Sequence, residues 1–270
     1  MIHIITNHHE TLKWIEIQST YLKNNTNNDY KVYCGVSDLP GEVKPPSIER
    51  YNFDNLENVE NKHAYKMNHL SDTIDMSKED PNDMLVFLDP DALPVQQGWD
   101  QFVKDALEKH KVIAISREEN IEPLLRPDQR PYPHPCFLAT TLGFWKKNKL
   151  SWDLDPSQGA DCAGVLLKKW LAENNHDWGR LLRSNCFNLH PLNFAVYGHL
   201  IYHHGSGNRP IYDSIDIWSR PELSQKYGVS LDLHFPELLE FNQKVSDLVF
   251  DAISNDSNFI NMYFCGFDRR

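Results

Sequence analysis

Five consecutive apolar residues, Met84-Leu85-Val86-Phe87-Leu88, run directly into Asp89-Pro90-Asp91. A run of this kind has no polar side to present to water, so it reads as a strand covered on both faces. Sheets covered on both faces are built from parallel strands joined by helices, and the flanking sequence has that rhythm. Met1–Thr6 is an isoleucine-rich strand signal. Leu12, Ile15 and Leu22 then share one side of a helix, and Tyr30–Val36 reads as a second strand. Residues 61–75 look helical. Beyond the aspartates, Trp99, Phe102, Val103, Ala106 and Leu107 recur at the spacing of an amphipathic helix, and Val112–Ile115 is another buried strand. Strands and helices that alternate in this way predict an α/β fold with parallel βαβ units.

The second half has a different texture. Pro123, Pro127, Pro131, Pro133 and Pro135 predict a loop excursion over 121–135. Phe137–Thr141 reads as a strand, and Ala163, Leu166, Leu167, Trp170 and Leu171 mark a helix. Short strands rich in aromatics are expected over 187–204. Leu238, Phe241, Val245, Leu248 and Ala252 mark a C-terminal helix. No linker separates the halves, so we expect one α/β domain over 1–220 with a helical extension over 221–270 packed on it.

Charge narrows the choice of partner. The chain has 38 acidic and 27 basic residues among 270, a net charge of −11. Broad binding to nucleic acid or anionic membranes needs surplus Lys and Arg, so neither is an expected partner. No apolar stretch is long enough to span a bilayer, and the start of the chain has no leader pattern. The five cysteines are scattered without a Cys-x-x-Cys pair, so neither a disulfide framework nor a Cys-based zinc site is expected. This usage fits a reducing cytoplasm.

Two segments carry the chemistry. In open α/β sheets ligands bind beyond the carboxyl ends of the strands, where Asp89-Pro90-Asp91 falls. Proline at 90 biases Asp89 to extended geometry, and residues i and i+2 then tend to share a side. Two neighbouring carboxylates repel unless a cation lies between them, and a hard divalent ion with oxygen ligands would also leave positions for phosphate. The bland alternative is a polar strand-to-loop turn, and Asp153-Leu154-Asp155 shows that the tripeptide pattern also occurs away from such a strand. The second segment is Tyr202-His203-His204-Gly205-Ser206-Gly207-Asn208-Arg209-Pro210. An imidazole there would complete a site begun by carboxylates, and such mixed ligation suits Mn²⁺ better than Mg²⁺. Glycines admit backbone N–H groups to phosphate, and Arg209 offers a fork of donors. The alternative is a polar turn with one histidine packed inside.

Together with Ile2–Thr6 and the helix carrying Lys62-His63-Ala64-Tyr65-Lys66, these segments resemble the GT-A nucleotide-sugar glycosyltransferases over about residues 1–215. The resemblance implies a Rossmann-like, mostly parallel central sheet flanked by helices. It implies transfer of a sugar from a nucleoside-diphosphate-sugar donor to a hydroxyl of a glycan or polysaccharide acceptor, supported by Mn²⁺ or Mg²⁺. Asp89 would meet the ribose or a metal-bound water, Asp91 would ligate the metal, and His203 or His204 would be the third protein ligand. Thr6 and Asn7 would lie against the nucleoside, with Lys62 and Lys66 facing the donor. The spacing of the His-Gly segment departs from the commoner H-x-x-G-x-x-K-P form, which leaves the choice of histidine open. No Q-x-x-R-W signature is present, which argues against processive synthesis.

An inverting transfer needs a carboxylate base, for which Asp161 in Gly159-Ala160-Asp161 is the candidate; an N-cap is its structural alternative. His134 could line the acceptor site. Of Tyr132, Phe137, Phe144, Trp145, Trp152 and Trp178, most are expected in the core. His8-His9-Glu10 reads as a loop and helix start, and Cys136 and Cys162 have no evident activating partner. Two other functions compete. A nucleotidyltransferase would want a basic, glycine-rich loop where this chain has Thr6-Asn7-His8-His9-Glu10, and a non-catalytic carbohydrate binder would need no metal.

Overall fold

The computed structural model describes residues 1–9, 12–39, 48–54, 62–117, 131–154, 164–190, 193–205, 207 and 235–267. Its centre is a seven-stranded sheet built from β1 (Ile2–His9), β2 (Tyr30–Ser37), β3 (Ile48–Asn52), β4 (Met84–Leu88), β6 (Val112–Arg117), β7 (Tyr132–Thr141) and β8 (Trp178–Leu181). The spatial order is β3-β2-β1-β4-β7-β6-β8. The strands β3, β2, β1 and β4 are mutually parallel, β8 is parallel to β6, and β7 is antiparallel to both its neighbours. The mostly parallel α/β sheet expected from the sequence is therefore the one observed.

Period-two alternation divides the core. Ile4, Val32, Val86, Ile113 and Ala139 lie in one cluster with Trp99 and Val103 of α3 (Trp99–Leu107). Ile5, Tyr33, Leu85, Phe87, Ala114 and Leu138 lie in another with residues of three helices: α2 (Lys62–Thr73), α4 (Leu142–Lys147) and α5 (Val165–Glu173). Helices thus cover both faces, as the all-apolar β4 requires. Tyr132, Phe137, Trp145, Trp152 and Trp178 are buried, with Phe87 tilted against Trp145 and edge-to-face with Trp152, so these aromatics are core.

A smaller sheet, β5 (Ala92–Pro94), β10 (Ile201–His203) and β9 (Ala195–Tyr197), lies against α1 (Lys13–Asn25) and α6 (Phe235–Asn255). Trp14, Ile17 and Tyr21 of α1 share a cluster with Leu93, Val196, Tyr202, Val249, Ile253 and Phe264.

Several expectations need correction. Residues 132–135 are strand rather than loop: β7 begins at Tyr132, Pro133 lies opposite Ser116, and Pro135 falls in the stretch skipped where the pairing with β6 jumps from Ala114↔Leu138 to Ile115↔His134. Such a bulge is where a strand tolerates a proline like Pro135. The remainder of the proline-rich stretch, 121–130, is outside the described residues. His8 and His9 finish β1. Phe102 is exposed although its spacing sets it on the apolar face, because α3 buries only the side through Trp99, Asp100 and Val103. Phe241 and Leu248 are likewise exposed, and α6 buries Ser246, Val249 and Ile253 instead.

Candidate metal centre

The site grows from the turn that leaves β4. The N–H of Asp89 donates to the Cys136 carbonyl at 3.1 Å, and the N–H of Ala92 donates to the Asp89 carbonyl at 3.0 Å. The chain then enters β5, which pairs with β10 so that Ala92 faces His203, and the His204 N–H donates to the Asp91 carbonyl at 3.0 Å. This ladder places residues more than a hundred positions apart side by side. His203 Nε2 lies 3.5 Å from Asp91 Oδ1 and 3.9 Å from Asp89 Oδ2. The ligating atoms of Asp89, Asp91 and His203 all lie within 4.8 Å of one another, with Asp91 and His203 buried.

The turn is held from behind by α1. Gln18 is buried, and its Nε2 donates to the carbonyls of Asp89 at 2.8 Å, Ala92 at 3.0 Å and Pro90 at 3.3 Å. Trp14 Nε1 donates to the Gly207 carbonyl at 2.8 Å, while the Gly207 N–H donates to Asp91 Oδ2 at 3.0 Å. A side chain at 207 has no room: its Cβ would stand 2.6 Å from Asp91 Cβ. The glycine expected to approach phosphate here approaches a carboxylate.

Electrostatics sort the groups. Burial opposes the Asp91 charge, but His203, His204 and the Gly207 N–H together outweigh it and hold the carboxyl below its ordinary range. Burial lowers His204 to about 3, so its ring is neutral. Both its nitrogens are committed, Nδ1 to the Tyr202 hydroxyl at 2.9 Å and Nε2 to Ser246 Oγ at 2.8 Å. The sequence left either histidine open as a ligand; in the fold it is His203 that faces the carboxylates. His203 Nδ1 is buried without a hydrogen-bond partner among the described residues.

The tips of β1 and β2 lie beside this cluster. Thr6 and Asn7 are buried there, and both amide atoms of Asn7 lack hydrogen-bond partners among the described residues. Asn7 fits because residue 35, opposite it, is glycine; a Cβ at 35 would strike Asn7 Oδ1 and the Phe53 ring. Lys66 is buried with Nζ 2.5 Å from Ser37 Oγ, and burial pushes its ammonium below the ordinary value, partly countered by Asp38. Lys62 is exposed at the start of α2. Contact between α2 and the cluster is made by His63, whose Nε2 is 3.4 Å from Asp89 Oδ1. Asp161 and Arg209 fall outside the described residues.

Sequence reasoning missed His63 and Gln18. The signal for Gln18 was available: it interrupts the buried stripe Trp14, Ile15, Ile17, Tyr21, Leu22 of α1, and a polar side chain on such a stripe needs acceptors. It also missed a partner for Cys136, whose Sγ lies 2.9 Å from His134 Nδ1. A further cluster, His3 with Glu79 and Asp83, lies at the opposite end of β1. There His3 Nδ1 is 3.1 Å from the Tyr33 hydroxyl, its Nε2 is 3.3 Å from Asp83, and Asp83 also binds the N-terminal ammonium at 2.7 Å. Glu79 in turn pairs with Lys31 Nζ at 2.7 Å, so the charges of this cluster are matched, as in a structural knot.

These observations define a class: an α/β chain with a carboxylate–imidazole cluster at the carboxyl end of its sheet. No protein-family model matches the sequence, and no curated protein matches it. Among solved structures it is similar to the mannosyltransferase PcManGT from Pyrobaculum calidifontis in complex with GDP-Man and Mn²⁺, at 10% identity and a TM-score of 0.45, covering 66% of this chain and 54% of that one. It is similar to the galactosyltransferase LgtC in complex with donor and acceptor sugar analogs, at 11% identity and a TM-score of 0.44, covering 87% and 99%. It is also similar to Staphylococcus aureus TarS in complex with UDP-GlcNAc, at 12% identity and a TM-score of 0.41, covering 56% and 48%. The match thus spans about half the length of two of these three.

Proposed function

We propose that the chain transfers a glycosyl group from a nucleoside-diphosphate sugar to a hydroxyl acceptor, with a divalent cation held by Asp89, Asp91 and His203. The observation that carries this reading is the convergence of two carboxylates and one imidazole at the carboxyl end of β4. The donor set fits such an ion. Its formal charges match, three protein ligands leave positions open, and the mixed oxygen and nitrogen shell suits Mn²⁺ more than Mg²⁺.

When bound, that ion would supply positive charge where negative charge develops on the departing nucleoside diphosphate, an effect worth several kcal/mol. The protein's own groups divide the remaining work. Asp91 is ionised throughout the neutral range and fixed by Gly207. Gln18 sets the spacing between the two carboxylates by gripping the carbonyls on either side. Asn7 offers the nucleoside a donor and an acceptor that have no partner among the described residues, and Thr6 and Lys66 complete that wall. Asp161 is assigned as the base that takes the acceptor proton and Arg209 as a phosphate ligand, both from the sequence.

The test is Asp91→Ala assayed with a panel of nucleotide sugars and Mn²⁺. Transfer and metal-supported donor binding should both be lost. Wild-type transfer with unchanged metal dependence in that variant would overturn the assignment.

A further inference from the structure

A second group of ligating side chains adjoins the first and shares Asp89 with it. The ligating atoms of Asp89, His134 and Cys136 all lie within 4.8 Å of one another. We propose that these three residues form a separate site for a thiophilic divalent cation of the zinc class.

The backbone builds the site. β7 runs antiparallel to β4 with Phe137 opposite Leu88, and the Asp89 N–H is bonded to the Cys136 carbonyl, so Asp89 cannot drift from Cys136. The β7 bulge withdraws residues 135–137 from the ladder with β6. His134 and Cys136, two residues apart, thereby meet on one side, with Sγ 2.9 Å from Nδ1 and the Cys136 N–H 3.2 Å from the same nitrogen. Zinc–sulfur and zinc–nitrogen bonds of about 2.3 and 2.05 Å in a tetrahedral shell require a sulfur–nitrogen separation of roughly 3.6 Å. The present contact would open by about 0.7 Å as the ring turns its Nδ1 lone pair from the Cys136 N–H to the ion. On binding, the Cys136 S–H proton leaves to solvent and the thiolate sulfur becomes the ligand.

Ligand softness separates the two positions. A thiolate favours zinc-like ions, whereas Asp89, Asp91 and His203 favour Mn²⁺. Among the described residues, Cys136 is the cysteine that stands with two other ligating side chains. The sequence, with no Cys-x-x-Cys pair, gave no warning of a thiolate ligand here. Because Asp89 belongs to both groups, zinc in the second position draws that carboxylate from the first. The second site itself does not depend on sugar transfer; only its consequence for transfer rests on the proposed function.

The test titrates the chelator-treated full chain with Co²⁺ and follows the sulfur-to-cobalt charge-transfer absorbance in the near ultraviolet. The band should appear in wild type, in Asp91→Asn and in Cys186→Ser, and be absent in Cys136→Ser. Zn²⁺ should displace the Co²⁺. If Cys136→Ser fails to fold, His134→Ala decides: it should weaken Co²⁺ binding by roughly 100-fold, at or beyond the ~10–100-fold lost with outer partners of metal ligands. No band in wild type, a band that survives Cys136→Ser, or unchanged affinity in His134→Ala overturns the second site. Mn²⁺ binding, read by electron paramagnetic resonance, separates the two readings: normal Mn²⁺ affinity in Asp91→Asn would sink the first site and leave the second standing.

Discussion

Gln18 gives the most direct handle on how the site is held. Replacing it by Met keeps the length and apolar stem of the side chain and removes its hydrogen-bonding amide. An amide NH₂ has two hydrogens, so of its contacts at 2.8, 3.0 and 3.3 Å the two shorter, to Asp89 and Ala92, carry most of the interaction. The Ala92 carbonyl loses its amide donor at about 1–3 kcal/mol, while the Asp89 carbonyl keeps the Ala92 N–H and loses one hydrogen bond of about 0.5–1.5 kcal/mol, so Gln18→Met should cost roughly 2–4 kcal/mol. In chains of this size that corresponds to a melting temperature lower by roughly 5–15 °C. The carbonyls that lose their donor bracket both carboxylates, so Mn²⁺ affinity should fall by about tenfold or more, about 1.4 kcal/mol. Ile17→Val is the control on the same helix. Ile17 is buried away from the turn in the α1–α6 cluster, so this variant should cost about 0.5–1.5 kcal/mol and leave Mn²⁺ affinity unchanged. Urea unfolding followed by tryptophan fluorescence, with Mn²⁺ binding by electron paramagnetic resonance, measures both quantities. A Gln18→Met protein with wild-type stability, or one that binds Mn²⁺ as the control does, would refute the clamp.

Three further outcomes are expected. Gly35→Ala should dislodge Asn7 and weaken nucleoside diphosphate binding, read by calorimetry, while Mn²⁺ binding without nucleotide stays near wild type. Asp100→Ala removes a fully buried carboxylate that accepts from the Asn27 and Asn28 N–H groups and from Asn28 Nδ2 at 2.6 Å; it should cost about 2–4 kcal/mol in urea unfolding without touching metal binding. His8 and His190 are both lowered to about 4, chiefly by burial, so the unfolded chain binds protons that the folded chain refuses. Stability should therefore fall as pH drops from ~6.5 to ~4, each group adding a slope of up to about 1.4 kcal/mol per pH unit, and His190→Gln should flatten the profile.

Much of the scaffold was legible because it rests on local pattern. Met84–Leu88 was readable to the residue, since only a strand covered on both faces tolerates five apolar side chains in a row. β1, β2 and β6 were found with their ends short by one to three residues, because His8, Ser37 and Arg117 continue the strands with polar side chains. β3, β5 and β8 escaped notice: Ile-Glu-Arg-Tyr-Asn and Trp-Gly-Arg-Leu lie at sheet edges and carry no buried alternation. The proline-rich start of β7 was misread because a bulge, which is a tertiary feature, is what makes prolines compatible with a strand. At the site, the pairing of Asp89 with Asp91 followed from their position after β4. Choosing between His203 and His204 did not, since it depends on Ser246 and Tyr202 occupying the second ring. Gln18, His63 and His134 reach the site only through packing of α1, α2 and β7, which spacing along the chain does not encode.

The link from His204 to Ser246 also bears on how the polypeptide divides. Trp14 touches His204 on one side and Phe250 of α6 on the other, with ring centroids 4.8 Å apart in each case. A polypeptide cut before α6 would lose the hydroxyl on His204 Nε2 and bare one side of the indole whose N–H steadies Gly207 against Asp91. Removal of α6 would thus reach Asp91 through Trp14 and Gly207, besides opening the apolar cluster that Val249 and Ile253 share with α1.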